Sequence, residues 1–274
     1  KRICVLASAN NVARGIGIAG VEMAKAKEIL TERSKSILTL TLNRPKVLNA
    51  VNGPLTEQLF DVLAAVENDD RIRCVVIRGA SGHFMAGGDL KLFHSELDRD
   101  GDDRRRFFEK FVYQVHPLIQ VIKRLPKPVV ASVEGAAGGF GVSLLLACDL
   151  VIAADTSFYT MAYCSIGTSP DGSSTYFLPR AVGLKKAMEL ALLCERFDAE
   201  TARTLGMVNW VVPESALASE TAKLAKRLAS GPTRAYANTK KLLNASLHST
   251  LDDQLQAEAE SFSQCAGTAD FVEG

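Results

Sequence analysis

A chain of 274 residues, 47% of them hydrophobic and 23% charged, can bury a full core, either as one large domain or as a domain with an appendage. Its formal net charge of +1 sets up no global field for nucleic acid or an anionic membrane, so any anionic ligand must be held by a local cluster. The cysteines at 4, 74, 148, 164, 194 and 265 form no CxxC pair, the histidines form no HExxH, and no apolar run approaches the roughly 18 residues of a membrane span, so no metal site, disulfide framework or membrane segment is expected. Scattered cysteines of this kind fit a reducing, cytoplasmic setting.

Residues 1–22 are basic, lack an acid before Glu22 and are broken by Asn10, Asn11 and Arg14; they read as a leader or expression scar ahead of a start near Met23. From Ser36 to Leu42 apolar and polar residues alternate, which predicts a half-buried strand ended by Asn43-Arg44-Pro45. Between Pro54 and Glu67 the residues Leu55, Leu59, Leu63 and Val66 share one helical face. The runs 73–78, 129–133 and 150–153 are short and almost wholly apolar, as strands buried on both faces are. A charged stretch from Asp98 to Arg106 is expected as a solvated loop or helix start, and a helix is expected over 107–125. After Asp171 the pattern turns helical, over 184–193, 199–205, 216–229, 233–244 and 251–264. Strands alternating with helices before a helical tail predict an α/β core over 23–198 and a helical subdomain over 199–274.

Two glycine-rich stretches follow predicted strands. They are Ser81 to Lys91 (SGHFMAGGDLK) and Glu134 to Ser143 (EGAAGGFGVS). Each puts backbone N–H groups where a helix begins, so that they can point into a cavity. Two such groups converging would stabilise a developing oxyanion. Neither stretch reads GxGxxG with an acid about 20 residues on, which argues against a dinucleotide fold. The competing reading is that the glycines merely permit close packing.

Asn43-Arg44-Pro45 with Leu48-Asn49-Ala50, Phe84 to Leu90 (FMAGGDL), Lys127 to Gly139 (KPVVASVEGAAGG), Cys148-Asp149 and Ala199 to Asn209 (AETARTLGMVN) together resemble the crotonase, or enoyl-CoA hydratase/isomerase, superfamily. The resemblance runs from about Met23 to the end and rests on the order and spacing of several motifs. It implies a spiral of ββα units, a helical C-terminal part that trimerises, a homotrimer or dimer of trimers, and an acyl-CoA thioester as substrate. Coenzyme A would arrive as part of that substrate, so no separate cofactor is expected. By motif position, the backbone N–H groups of Gly88 and Phe140 would hold the thioester oxygen. Lys46, Leu48, Met85, Ala86 and Lys91 would line the route of the CoA moiety, where cations suit its phosphates.

Departures from the family pattern point to the reaction. Hydratases of the family place glutamates at the positions held here by Ser143 and Tyr163, so the paired acid and base for adding water are missing. Ser143 is expected as a helix residue with a satisfied hydroxyl, and Tyr163 as a wall of the acyl pocket or a hydroxyl donor; the Phe140 ring would shape the same pocket. A carboxylate appears instead at Asp171, in Ser169-Pro170-Asp171-Gly172, resembling the acidic site of Δ3,Δ2-enoyl-CoA isomerases and of the ring-epoxide isomerases of phenylacetyl-CoA breakdown. One base suffices for a 1,3-proton shift, and burial would strengthen it. Pro-Asp-Gly is also a strong turn signal, which leaves Asp171 open to a purely structural role. Asp89 is expected to cap a helix beginning near Leu90.

Overall fold

The computed structural model describes residues 27–274; the leader expected over 1–22 lies outside the described residues. The first strand, β1 (Ile29–Ser34), buries Ile29 alone, so no periodicity marks it in the sequence. It pairs antiparallel with β2 (Ile37–Leu42), where the predicted alternation appears as Leu38, Leu40 and Leu42 turned inward. A short 3-10 turn at Pro45–Val47 then leads to α1 (Gly53–Glu67), capped by the Asn52 side chain, which accepts from Leu55 N. Strand β3 (Cys74–Gly79) follows, then α2 (Leu90–Ser95) and the long α3 (Gly101–Arg124). The charged stretch resolves into the first turn of α3, with Asp100 accepting from Asp102 N and Asp103 N.

Strand β4 (Val129–Val133) is buried throughout, and the short β5 (Ala136–Gly138) leads into α4 (Phe140–Ala147). Next come β6 (Leu150–Ala154), β7 (Phe158–Thr160), α5 (Ser174–Val182), α6 (Leu184–Leu193), β8 (Phe197–Asp198), α7 (Ala199–Thr204) and β9 (Trp210–Val212). Four helices finish the chain: α8 (Glu214–Ser230), α9 (Thr233–Ser246), α10 (Leu251–Ala266) and α11 (Ala269–Glu273).

The main sheet runs β1-β2-β3-β4-β6-β9, parallel apart from β1, and a smaller sheet runs β5-β7-β8. Strands β3 and β4 send alternate residues to two cores, which explains their unbroken apolar character. Val75, Ile77, Val129 and Ala131 enter the larger core with α1, α3 and α4; Cys74, Val76 and Val130 meet Leu217, Ala225 and Ala229 of α8. Residues beyond 198 contribute to the main sheet and its cover. Strand β9 extends the main sheet and α8 covers its back, whereas α9 and α10 pack chiefly on each other. The physical reason is that the outer face of the sheet needs an apolar cover, and the stripe of Leu217, Ala225 and Ala229 on α8 supplies it.

A half-buried ion pair ties the tail to the core. Lys240 of α9 donates to Asp149 Oδ2 at 2.7 Å, and the same oxygen accepts from Val129 N at 2.8 Å. Among the described residues no helix is long and apolar enough to cross a membrane.

Candidate active site

The two glycine stretches are joined side by side. Met85 N donates to Ala136 O at 3.0 Å, and Gly138 N returns a bond to Met85 O at 2.9 Å. This close approach requires residues without side chains: a Cβ on Gly141 would sit 2.2 Å from Met85 O, and one on Gly87, whose φ is +91°, would sit 3.2 Å from Gly138 O. On the other flank, Val51 N donates to Gly87 O and Asp89 N to Val51 O, at 2.7 and 3.1 Å. Asp89 caps α2 by accepting from Lys91 N and Leu92 N, and its second oxygen takes Arg44 Nη2 at 2.7 Å. Its carboxyl is held below the usual range: burial opposes ionisation, but the Arg44 bond and the backbone donors outweigh it.

This framework leaves two backbone donors unused. Among the described residues the N–H groups of Gly88 and Phe140 donate to no protein acceptor, although their neighbours Asp89 and Gly139 do. Phe140 opens α4, so its N–H has no place in the helical ladder, and Gly139, at φ 47°, turns the chain into that helix. Both residues line a cavity of about 490 Å³. Phe93, Phe108 and Phe111 give it an aromatic wall from α2 and α3, and Ile166, Thr168 and Pro170 enclose it from the segment before α5.

Asp171 faces this cavity. The Pro-Asp-Gly turn is real, but the backbone makes it: Ser174 N donates to Asp171 O at 3.1 Å, and Gly172 and Ser173 take φ of +57° and +75°. The carboxyl caps no helix and accepts instead from Tyr163 Oη at 2.6 Å. Burial is the main influence on this carboxyl and pushes its pKa up, against the opposing effects of the Tyr163 hydroxyl and His116. Burial likewise drives the Tyr163 phenol well above its ordinary value, and the adjacent Asp171 charge adds to this, so that the phenol acts as donor.

Tyr163 thus lines the cavity and also donates to Asp171. Phe140 lines it as well, with its ring packed where a Cβ on Gly172 would approach to 2.5 Å. Ser143 does not line the pocket. It is fully buried in α4, its hydroxyl shared between Tyr163 Oη and Asp171 O at 3.0 Å each, because its helix turns it under the tyrosine. Along the expected CoA route, Ala86 lines the cavity and its N–H donates to Leu48 O at 3.0 Å. The Met85 side chain cannot contribute there; it is fully buried in the core. Leu48, Lys46 and Lys91 are exposed on the segments flanking the glycine stretch, outside the cavity lining.

One functional candidate escaped the sequence reading. His116 of α3 lines the same cavity as Asp171, and these two are the acidic and basic side chains among its lining residues. The signal was present as a helical stripe, Phe108, Val112 and His116, at spacing i, i+4, i+8 beside the core-facing stripe. Nothing along the chain places that stripe opposite Asp171, so it reads equally as an ordinary helix face.

Comparison with known proteins gives this geometry a family. The profile of the Enoyl-CoA hydratase/isomerase family matches residues 32–274. The chain belongs to the enoyl-CoA hydratase/isomerase family. This family member is 39% identical over 247 residues to the 1,2-epoxyphenylacetyl-CoA isomerase of Escherichia coli K12, covering 90% of this chain and 93% of that relative. It is 31% identical over 245 residues to 4-chlorobenzoyl coenzyme A dehalogenase-1 of an Arthrobacter species, with 89% and 88% covered. Its fold matches the crystal structure of an enoyl-CoA hydratase from Polaromonas sp. JS666 with a TM-score of 0.84 at 34% identity, covering 90% of this chain and 94% of the other. An acyl-CoA thioester substrate is consistent with membership of this family.

Proposed function

We propose that the protein is an enoyl-CoA isomerase that shifts a double bond from the Δ3 to the Δ2 position, with Asp171 carrying the proton. The observation behind this reading is the setting of one carboxyl: buried, anchored by Tyr163, and sharing a cavity with two unpaired backbone donors. The thioester oxygen accepts from Gly88 N–H and Phe140 N–H. Removal of the proton next to the thioester carbonyl builds enolate charge on that oxygen, and each donor aimed there contributes about 10²–10³ in rate. Asp171 takes the proton from C2 and returns it to C4, giving the conjugated thioester. Lys46 and Lys91, both exposed, meet the CoA phosphates in this reading, and the assembly is a homotrimer or dimer of trimers. Addition of water is disfavoured because Ser143 and Tyr163 stand where a pair of carboxylates would be needed.

The test is conversion of a 3-enoyl-CoA, followed by growth of the conjugated thioester absorbance, with crotonyl-CoA hydration measured in parallel. Asp171→Asn should lower the isomerisation rate by about 10²–10⁴. Full activity in that variant, or hydration outrunning isomerisation in the parent, refutes the assignment.

A second reading draws on His116. A carboxylate and an imidazole facing one cavity suit displacement of halide from a haloaroyl-CoA. Asp171 would attack the ring carbon and expel halide, leaving an aryl ester. Water, giving its proton to His116, would then cleave that ester at the aspartyl carbonyl. The net change is ring halide plus water to ring hydroxyl plus hydrogen halide. Halide release from 4-chlorobenzoyl-CoA, absent with the isomerase reading, separates the two.

A further inference from the structure

The cavity at Asp171 continues past its aromatic wall. Leu90, Phe93, Phe108, Ile166 and Thr168 line it and also line a second chamber of about 500 Å³. That outer chamber lies between the end of α2, the following Leu97, and the first turns of α3 at Gly101 and Arg104. We propose that it takes the distal part of a long, unbranched acyl chain, so that the substrates are thioesters of chains too long for the inner cavity. This inference rests on the reading of the inner cavity as the acyl-CoA site and deepens it by naming the substrate class.

Three observations support it. The first is continuity: Phe93, whose ring lies against Gly88, and Phe108 stand edge to face at 5.0 Å and border both chambers. The second is apolar surface left without cover. Leu90, Leu97 and Ile166 are 60%, 53% and 47% exposed and all line the outer chamber, where scattered exposed leucines would need no explanation but a cluster does. The third concerns charge. The chamber borders the exposed His94 and Arg105 and the half-buried Arg104 at its rim, and Arg104 Nη1 is already bonded to the carbonyls of Leu97 and Arg99 at 2.9 and 3.1 Å. Arg105 turns to Asp102 at 3.6 Å on the surface. What the chamber offers a ligand is hydrocarbon, and a chain of methylenes is the occupant that gains from it.

The experiment uses saturated thioesters, which bind without turnover. Affinities of the whole protein for dodecanoyl-CoA and butanoyl-CoA are measured by calorimetry, with Leu97→Trp and Gly101→Leu as two independent ways of filling the outer chamber. A Cβ at Gly101 meets nothing within 4 Å, so that substitution has room. The parent should prefer dodecanoyl-CoA by at least about tenfold, since each methylene buried adds to affinity, and both variants should cut this preference to about threefold or less. Equal affinities in the parent would place the whole acyl group in the inner cavity and overturn the inference, with the isomerase reading untouched. A chain-length preference that both variants leave intact would also overturn it. A preference that the variants abolish, in a protein that isomerises no 3-enoyl-CoA, would uphold the chamber while refuting the isomerase reading.

Discussion

Replacing Tyr163 by phenylalanine removes one hydroxyl from beneath the proposed base. Its Oη lies 2.6 Å from Asp171 Oδ1, the length of a strong bond to a charged acceptor. Such bonds are worth about 1.5–3 kcal/mol. The hydroxyl favours the ionised carboxyl, so its loss adds to the upward push of burial and Asp171 binds its proton more tightly. At about 1.36 kcal/mol per factor of ten, the proton affinity rises roughly tenfold to 150-fold. The sign then decides the pH at which the loss appears. On the acid side kcat/KM follows the deprotonated fraction, so Tyr163→Phe should fall below the parent by that factor. Well above the acid limb both proteins are fully deprotonated, and the variant should come within a few-fold of the parent. Ser143 keeps its bond to Asp171 O at 3.0 Å, which limits collateral disorder. The assay is kcat/KM for a 3-enoyl-CoA across the acid limb, in both proteins. A loss equal at every pH would make Tyr163 a wall only, and no loss at all would sever it from the base.

Further expectations concern the same framework. Asp171→Asn should raise Tm at neutral pH: the folded pKa lies above the unfolded one, so the stability due to this carboxyl is greatest in acid and falls as pH rises through the folded value, and the amide escapes that penalty. The gap in Tm between variant and parent should close in acid, and a variant less stable than the parent at neutral pH would contradict this. Gly172→Ala places a methyl 2.5 Å from the Phe140 ring at a φ of +57°, so the ring and its oxyanion donor must shift. A fall in kcat on the order of 10²-fold is expected, with the circular dichroism of the fold retained. Lys240→Ala leaves the half-buried Asp149 without its cation and should cost about 1.5–3 kcal/mol in chemical denaturation. A loss under about 1 kcal/mol would show that Val129 N–H alone satisfies that carboxylate.

Much of this fold was legible because burial writes a period into the chain. The alternation of Leu38, Leu40 and Leu42 and the helical stripe of Leu55, Leu59 and Leu63 appear in the structure as they read in the sequence. Elements without a buried stripe were illegible. Strand β1 buries one residue, β5 and β7 have three residues each, and α5 is punctuated by Pro179 and ends at Gly183. In the site, Asp171, Tyr163 and Ser143 are brought together, yet the order of the contacts was hidden. The sequence could not show that Ser143 would lie beneath Tyr163, nor that Met85 would turn into the core, because both depend on the rotation of an element about its own axis. His116 lies 55 residues from Asp171 along the chain, and only the crossing of α3 over the loop before α5 brings them to one cavity.

The arrangement separates what is general from what is particular to this chain. The two proposed oxyanion donors are backbone groups, set by Gly141, where a Cβ would meet Met85 O at 2.2 Å, by Gly87 at a φ of +91°, and by Asp89, which Arg44 holds at the entry to α2. In the proposed mechanism they select a thioester oxygen and no particular reaction. Under the proposed function the reaction is chosen at positions 143, 163 and 171, where a serine, a tyrosine and an aspartate form one bonded cluster. A carboxylate at 171 alone can remove and return a proton but has no second acid to hold a water molecule. On the proposed reading, the choice between moving a proton and adding water therefore turns on three side chains.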